Sequence, residues 1–497
     1  MMRKLYALLL VNAFFKKRCV SFFFIMLFYA LQVSGINVEL KTFNFFGEKP
    51  YTECHIRIDH RSLTTINAST IIPASVDLLL MVLDSAGNIA AYDKFTLTGQ
   101  TDSLSKDMLA VKRFALASGK YTIRLEAGES GFPDNKIQME KACQVPVISG
   151  KHAVSDLLVL ANLQKTSQEG PLIKNGYYLE PLPYNYMFGG RETIDFYVEL
   201  YARDTSNRES LFLQMTISEL TDKGLVQSQK ISKYRKVSGS PYEPLILSLP
   251  VKELKSGNYQ LSVSIVDKNK RVIAFSSSDF IQSNPEADLA WLESSGQDIE
   301  SSFAGKIKED DMEYILKAHV PLTSQEQLLT LRELITTKRT KSKQSFLLTF
   351  WKEKYPADPG AAFIKYMEVA DAVNKQFNTN AGLGVQSDRG HIFLKYGKPT
   401  NVITIDTEVD APPYEIWYYH NVPLTRQTNV RFLFYNPSLV HNDFRLLHST
   451  CLGERVNPAW ETELYKSVPN ERIGNTIDAT QVQENFNRNA RRYFNEY

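Results

Sequence analysis

With 497 residues, 43% of them hydrophobic, the chain has room for about three globular domains. Its net charge of +2 excludes a general nucleic-acid binder, which needs a basic face to neutralise phosphates. The 25 Tyr and 28 Phe suit β-rich domains.

Lys16-Lys17-Arg18 precedes an apolar run from Cys19 to Leu31 that ends in Val33-Ser34-Gly35. A basic flank, a short apolar stretch and small exit residues describe a secretory signal peptide over residues 1–35. The run falls short of the ~20 residues needed to cross a bilayer, and no later run is longer. No transmembrane span is therefore expected after signal removal. The earlier apolar patch from Leu5 to Phe15 leaves a retained anchor as the alternative. The mature protein is expected in the periplasm or in association with the outer membrane.

Cys19 lies inside the signal, and Cys451 has no obvious mate. Cys54 and Cys143 stand near the two ends of the first domain, in a compartment where a disulfide persists. Bridged, they would contribute about 4 kcal/mol by loop closure. Two separate core thiols are the plainer reading.

Residues 36–149 show short strands with turns between them, which describes a β-sandwich. Residues 150–285 repeat the grammar. Ser256-Gly257-Asn258-Tyr259 echoes Ser118-Gly119-Lys120-Tyr121, so two tandem immunoglobulin-like sandwiches are expected. The second opens on a Tyr- and Pro-rich stretch, Tyr177 to Gly190, followed by a strand carrying Tyr197, Glu199 and Tyr201.

The period then changes to that of helices. Ala287 to Ser302, Glu309 to Ala318 and Gln344 to Lys354 read as helical. Thr323-Ser324-Gln325-Glu326 has the form of a capping box ahead of Leu328, Leu331 and Leu334. Asp358-Pro359 supplies an N-cap and a first-turn proline. Helices followed by a small antiparallel sheet make residues 286–455 an α+β domain. Residues 456–497 form a tail with Val482, Phe486, Ala490, Tyr493 and Tyr497 at helical spacing, expected to dock on its own protein.

The most pointed stretch runs from Gly384 through Ser387-Asp388-Arg389-Gly390 to Gly397-Lys398-Pro399, and on to Tyr414-Glu415-Ile416-Trp417-Tyr418. Alternation in His391 to Tyr396 reads as a strand entered from a polar turn and stopped at Gly397. This stretch resembles the signature of the GWxTD domain, found in exported proteins of Bacteroidota. Val385 stands where the family carries Trp, and Ser387 where it carries Thr, so the chain looks like a divergent member. The upstream Phe350-Trp351, with Asn374 and Phe377, extends the resemblance to about Ala287. The resemblance implies export and architecture but no reaction.

Two readings attach to Asp388 and Arg389. As a site, Arg389 holds an anion and Asp388 acts as a base. As structure, Asp388 accepts N–H groups of the turn and Arg389 pairs with a carboxylate, Glu415 being the candidate. The structural reading is preferred, because no catalytic motif accompanies the pair. Asp406, Glu408 and Asp410 read as a solvated acidic loop, with a calcium site as the sharper alternative. His391, His420, His441 and His448 show no zinc spacing, and no cofactor fingerprint is present.

The expectation is a non-enzymatic periplasmic scaffold with an envelope or outer-membrane protein partner, in outer-membrane protein assembly or secretion. An envelope hydrolase at Asp388/Arg389 and a glycan-binding or adhesive protein are the alternatives.

Overall fold

A computed structural model describes residues 36–465 and 488–496, apart from 48–49, 64–73, 100–106, 133–134, 149, 203–210, 222–225, 297, 380–381, 409 and 458–459. The expected signal peptide, with Val482, Phe486 and Tyr497 of the tail, lies outside the described residues. The chain is β-rich and multidomain, with its helices gathered in the C-terminal part. No helix among the described residues is long and apolar enough to cross a membrane.

The first unit has seven strands: Val38–Phe45 (β1), Tyr51–Ile58 (β2), Ser75–Leu83 (β3), Ile89–Thr98 (β4), Met108–Phe114 (β5), Gly119–Glu129 (β6) and Lys136–Val145 (β7). They form two sheets, ordered β1-β2-β5 and β4-β3-β6-β7. Alternation sends Ile56 and Ile58 from one sheet, and Leu78, Leu80 and Ile123 from the other, into one shared core. Cys54 and Cys143 sit in that core as free thiols, so the structure does not contain the bridge that their spacing allowed. Burial pushes the Cys54 thiol up to about 12.

The second unit opens with His152–Val154 (β8), Leu158–Lys165 (β9), Ile173–Lys174 (β10), Tyr177–Pro181 (β11) and Tyr186–Phe188 (β12). Thr193–Ala202 (β13), Phe212–Leu220 (β14), Val226–Lys236 (β15), Tyr242–Pro250 (β16), Gly257–Val266 (β17) and Val272–Ser283 (β18) follow. One sheet runs β10-β11-β9-β13-β16 with β8 beside β13, and the other runs β12-β18-β17-β14-β15. The Tyr/Pro-rich stretch forms β11, a turn with left-handed Tyr184 and Asn185, and β12. It leans on the outer face of the first unit, where Lys41 Nζ donates to Asn185 Oδ1 at 2.5 Å.

The sequence echo between the units has a physical cause. Tyr121 Oη donates to Ala117 O at 3.0 Å, and Tyr259 Oη donates to Lys255 O at 2.9 Å. Each phenol ties down the corner that precedes its strand. The ring lies over the glycine two residues earlier, where a Cβ on Gly119 or Gly257 would make ordinary contact with it at 3.5 Å.

Strand β18 passes into the helical part with no linker. Asn284 caps helix α1 (Pro285–Ser294), accepting from Ala287 N at 3.3 Å, and its Nδ2 donates to Lys252 O at 2.8 Å. Helix α1 stops short of the expected Ser302, before Gly296, whose φ of +59° is left-handed. Helices α2 (Glu309–His319), α3 (Leu328–Thr336), α4 (Thr340–Lys354) and α5 (Pro359–Phe377) follow. The expected capping box is not used. Helix α3 begins after Gln327 with no side-chain cap, and Thr323 donates instead to His319 O at 2.9 Å, closing the preceding turn. Asp358 does cap α5, accepting from Ala361 N at 2.9 Å.

Asn401–Ile405 (β19), Tyr414–Val422 (β20), Gln427–Tyr435 (β21) and Arg445–Ser449 (β22) form an antiparallel sheet in sequence order. Before it lies helix α6, Asp388–Tyr396, and after it come α7 (Trp460–Leu464) and α8 (Ala490–Glu496). Helices cover both faces of the sheet. Phe377, Ile392 and Trp417 lie in one layer, and Ile416, Leu433, Trp460 and Phe494 in the other.

Candidate functional site

The stretch expected as a strand, His391 to Tyr396, is helical. Ser387 is the reason: its Oγ accepts from Gly390 N at 3.0 Å, starting a helix, and donates to Gly384 O at 2.7 Å. Gly397, with φ of +84°, ends it as its N–H bonds Phe393 O at 2.8 Å. Ile392 and Leu394 alternate as in a strand, but Arg389, Ile392 and Tyr396 also share helical spacing, and the two caps decide between the periods.

Two glycines allow the turn to close. A Cβ on Gly390 would stand 2.0 Å from Gly384 O, and one on Gly384 would stand 2.4 Å from Asn374 O. Neither backbone oxygen can give way. Val385, where the resembling family has Trp, is buried in the same core as Trp417.

Arg389 is 3% exposed and lies across the helix–sheet junction. Its Nη1 donates to Glu415 Oε1 at 2.7 Å, and its Nη2 donates to Asn442 Oδ1 at 3.1 Å and Asn442 O at 3.2 Å. The guanidinium carbon is 4.1 Å from the Phe444 ring centre and 4.9 Å from that of Phe377. The other oxygen of Glu415 accepts from Trp417 Nε1 at 2.9 Å. Both Nη groups are thus held by β20 and the β21–β22 loop with two rings close by, while the buried Nε has no hydrogen-bond partner among the described residues. Asn442 has a left-handed φ of +63°, which presents both its oxygens to Arg389.

Asp388 turns elsewhere. Ser387 accepts the turn's N–H, and the Asp388 carboxylate instead accepts from Leu446 N on β22 at 2.7 Å. Burial pushes the Asp388 carboxyl above the ordinary carboxylate range, against the Leu446 hydrogen bond. The adjacent acid and guanidinium therefore fasten different points of the sheet and do not converge on a shared space. Pro399 is buried just past the helix, and Tyr419 Oη donates to Gly397 O at 2.9 Å.

The acidic alternation is neither a solvated loop nor a cation site. Glu408 accepts from Tyr414 Oη at 2.6 Å and Asn489 N at 3.0 Å, and Asp410 pairs with Arg488 at 3.0 Å. These carboxylates hold α8 against the sheet. Only Asp406 is exposed. His391 and His448 are pushed down to about 4 by burial, which keeps both neutral.

A second charged group, which the sequence marked only through Tyr197, Glu199 and Tyr201, lies between the first two units. Alternation puts these three side chains on one face of β13. Tyr197 Oη donates to Glu199 Oε1 at 2.5 Å, Tyr201 Oη donates to the other oxygen, and Glu199 is 4% exposed. Lys174 from β10 reaches Glu53 Oε1 at 3.1 Å and Glu199 at 4.0 Å, with Nζ 3.1 Å from the Phe45 ring centre. Burial would raise the Glu53 carboxyl, but the His55 hydrogen bond, Lys174 and Arg113 outweigh it and hold it at about 2. Burial lowers the Lys174 ammonium. Asp59, His60 and Asp107 also approach one another, yet Arg61 and Arg57 already neutralise the two carboxylates at 2.9 and 3.0 Å.

No family model matches the chain, and no curated protein matches it. Among solved structures it is similar to red sea bream transglutaminase, at 10% identity and a TM-score of 0.16, over 50% of this chain and 31% of that one. It is also similar to a calcium-binding mutant of Bacteroides uniformis β-glucuronidase 2, at 10% identity and a TM-score of 0.18, over 46% of this chain and 26% of that one. The chain thus spans about a third or less of the length of either protein.

Proposed function

We propose that this chain is a divergent GWxTD-type exported protein, acting as a non-enzymatic scaffold of the bacterial cell envelope. Its partner is an outer-membrane or other envelope protein, engaged in outer-membrane protein assembly or secretion. Two immunoglobulin-like sandwiches carry the α+β head in the periplasm. The observation that carries the reading is that both charged residues of the motif are spent on internal partners, so the motif fastens a sheet to a helix. The sandwich reading is supported by equivalent strand orders in the two units and by a tyrosine corner in each.

Affinity purification from crosslinked envelopes tests the proposal. An outer-membrane protein should be recovered with the intact chain, and recovery should fall in step with melting temperature in Arg389 variants. A hydrolytic activity of the purified protein that vanishes in Asp388→Asn at unchanged melting temperature would overturn it. Recovery of the protein from the cytosol would do the same.

A further inference from the structure

The outward face of the sheet β15-β14-β17-β18 carries side chains in register. Tyr234, Gln214, Ser264 and Phe275 form one row across its four strands. Ser232, Thr216, Ser262 and Ser277 form the next. A third row ends in Gln260 and Asp279, which bond each other at 2.9 Å, and its other charge is Lys230, in the β15 bulge opposite Ser218, which pairs with Glu219 at 2.6 Å. Two large aromatics stand at opposite ends of the first row, Tyr234 at 51% and Phe275 at 70% exposure. At the usual strand spacing they are about 14 Å apart. Among the described residues, the side chains of Gln214, Thr216, Ser232, Ser264 and Ser277 make no hydrogen bond to protein.

The equivalent face of the first unit shows what a merely solvated face looks like in this molecule. There the rows read Tyr92, Met81, Arg124, Glu140 and Lys94, Leu79, Glu126, Gln138. Arg124 and Glu140 pair at 2.7 Å. Charge favours solubility on such a face, and the first two rows of the second unit carry hydroxyls, an amide and two aromatics in its place.

We infer that this face of the second unit binds an uncharged polysaccharide. Aromatic rings present apolar faces that sugar C–H groups can cover, and hydroxyl and amide groups donate to and accept from sugar hydroxyls. The first two rows carry no charge, which disfavours polyanions there and leaves neutral chains as the complementary ligand. The open edge of β18 above Ile281 lets a chain run off the sheet, because β12 covers only Ile281 to Ser283. The inference stands apart from the envelope partner and can fail without it.

The test is calorimetric titration of the full chain with cello-, xylo-, manno-, laminari- and malto-hexaose. At least one should bind in the micromolar to millimolar range. Phe275→Ala and Tyr234→Ala should each weaken that binding at least tenfold with melting temperature unchanged, while Tyr92→Ala leaves it intact. No heat with any of the five at millimolar concentration overturns the inference. So does binding that survives the Tyr234→Ala/Phe275→Ala double variant, or binding confined to an acidic oligosaccharide such as a galacturonan hexamer.

Discussion

Arg389 shows how a motif residue can be indispensable without being reactive. Its removal as Arg389→Ala strands Glu415 beneath the sheet with only the Trp417 donor, and losing one partner of a buried pair costs about 3–5 kcal/mol. Chemical denaturation should show that loss, and Glu415→Gln, which keeps an acceptor for Trp417, should cost less. Asp388→Asn should be milder still, because an amide oxygen can accept from Leu446 N without the cost of burying charge. His319 offers a separate test. It is fully buried, its Nδ1 donates to Ile315 O at 2.6 Å, and its Nε2 accepts from Trp351 at 2.9 Å, which fixes it as neutral. Burial lowers its pKa from 6.5 to about 4, so the unfolded chain binds the proton first. Stability contributed here is whole above pH 6.5 and is lost as pH falls toward 4, by about 3 kcal/mol. Urea titrations between pH 7 and pH 4 should show the decline, and His319→Gln should reduce it by this one share, leaving those of His391 and His448.

Among elements, α6 was the least legible. Its nine residues alternate well enough to pass for a strand, and what overrules the alternation is the pair of ends, Ser387 and Gly397. The cap signals were present in the sequence, but the contacts that force Gly384 and Gly390 are backbone approaches between segments that only the fold brings together. Gly390→Ala should therefore destabilise the head more than Ser387→Ala, whose lost cap costs about 1 kcal/mol. Thermal melts of the two variants check the order, and a milder Gly390→Ala would mean the turn can open. The Arg389–Glu415 pairing was readable as a candidate because complementary charges sit in one motif. Thr323 to Glu326 failed as a cap signal because tertiary packing started α3 one turn later. The role of Glu408 and Asp410 was invisible, since their partners lie some eighty residues downstream.

Across the whole molecule, the strand grammar and the Ser-Gly-x-Tyr echo made two like units legible, because alternation and corner geometry are local. The seam between them was not. It depends on Lys174, from a two-stranded excursion, meeting Glu53 of the other unit beneath Phe45. Removing one partner of a buried pair leaves the other charge uncompensated, so this contact bears on stability as well as on arrangement. Lys174→Met, which leaves buried Glu53 and Glu199 without that cation, should therefore lower the melting temperature and also change the relative placement of the two sandwiches. Small-angle scattering, with a maximum dimension altered beyond that of the unmodified chain, is the measurement. An unchanged profile would show that the apolar contacts of Phe45, Leu160 and Tyr197 suffice.

Asn284 is the one residue that separates the end of β18 from the start of α1, and it is bonded to both sides. A hinge needs slack, and this joint has none. The start of the helical part is thereby fastened directly to the second sandwich. Taken together, the two proposals predict that a glycan on the hydroxyl-rich face would be presented to a partner of the head at a set angle, as a rivet hole sets the position of the next plate.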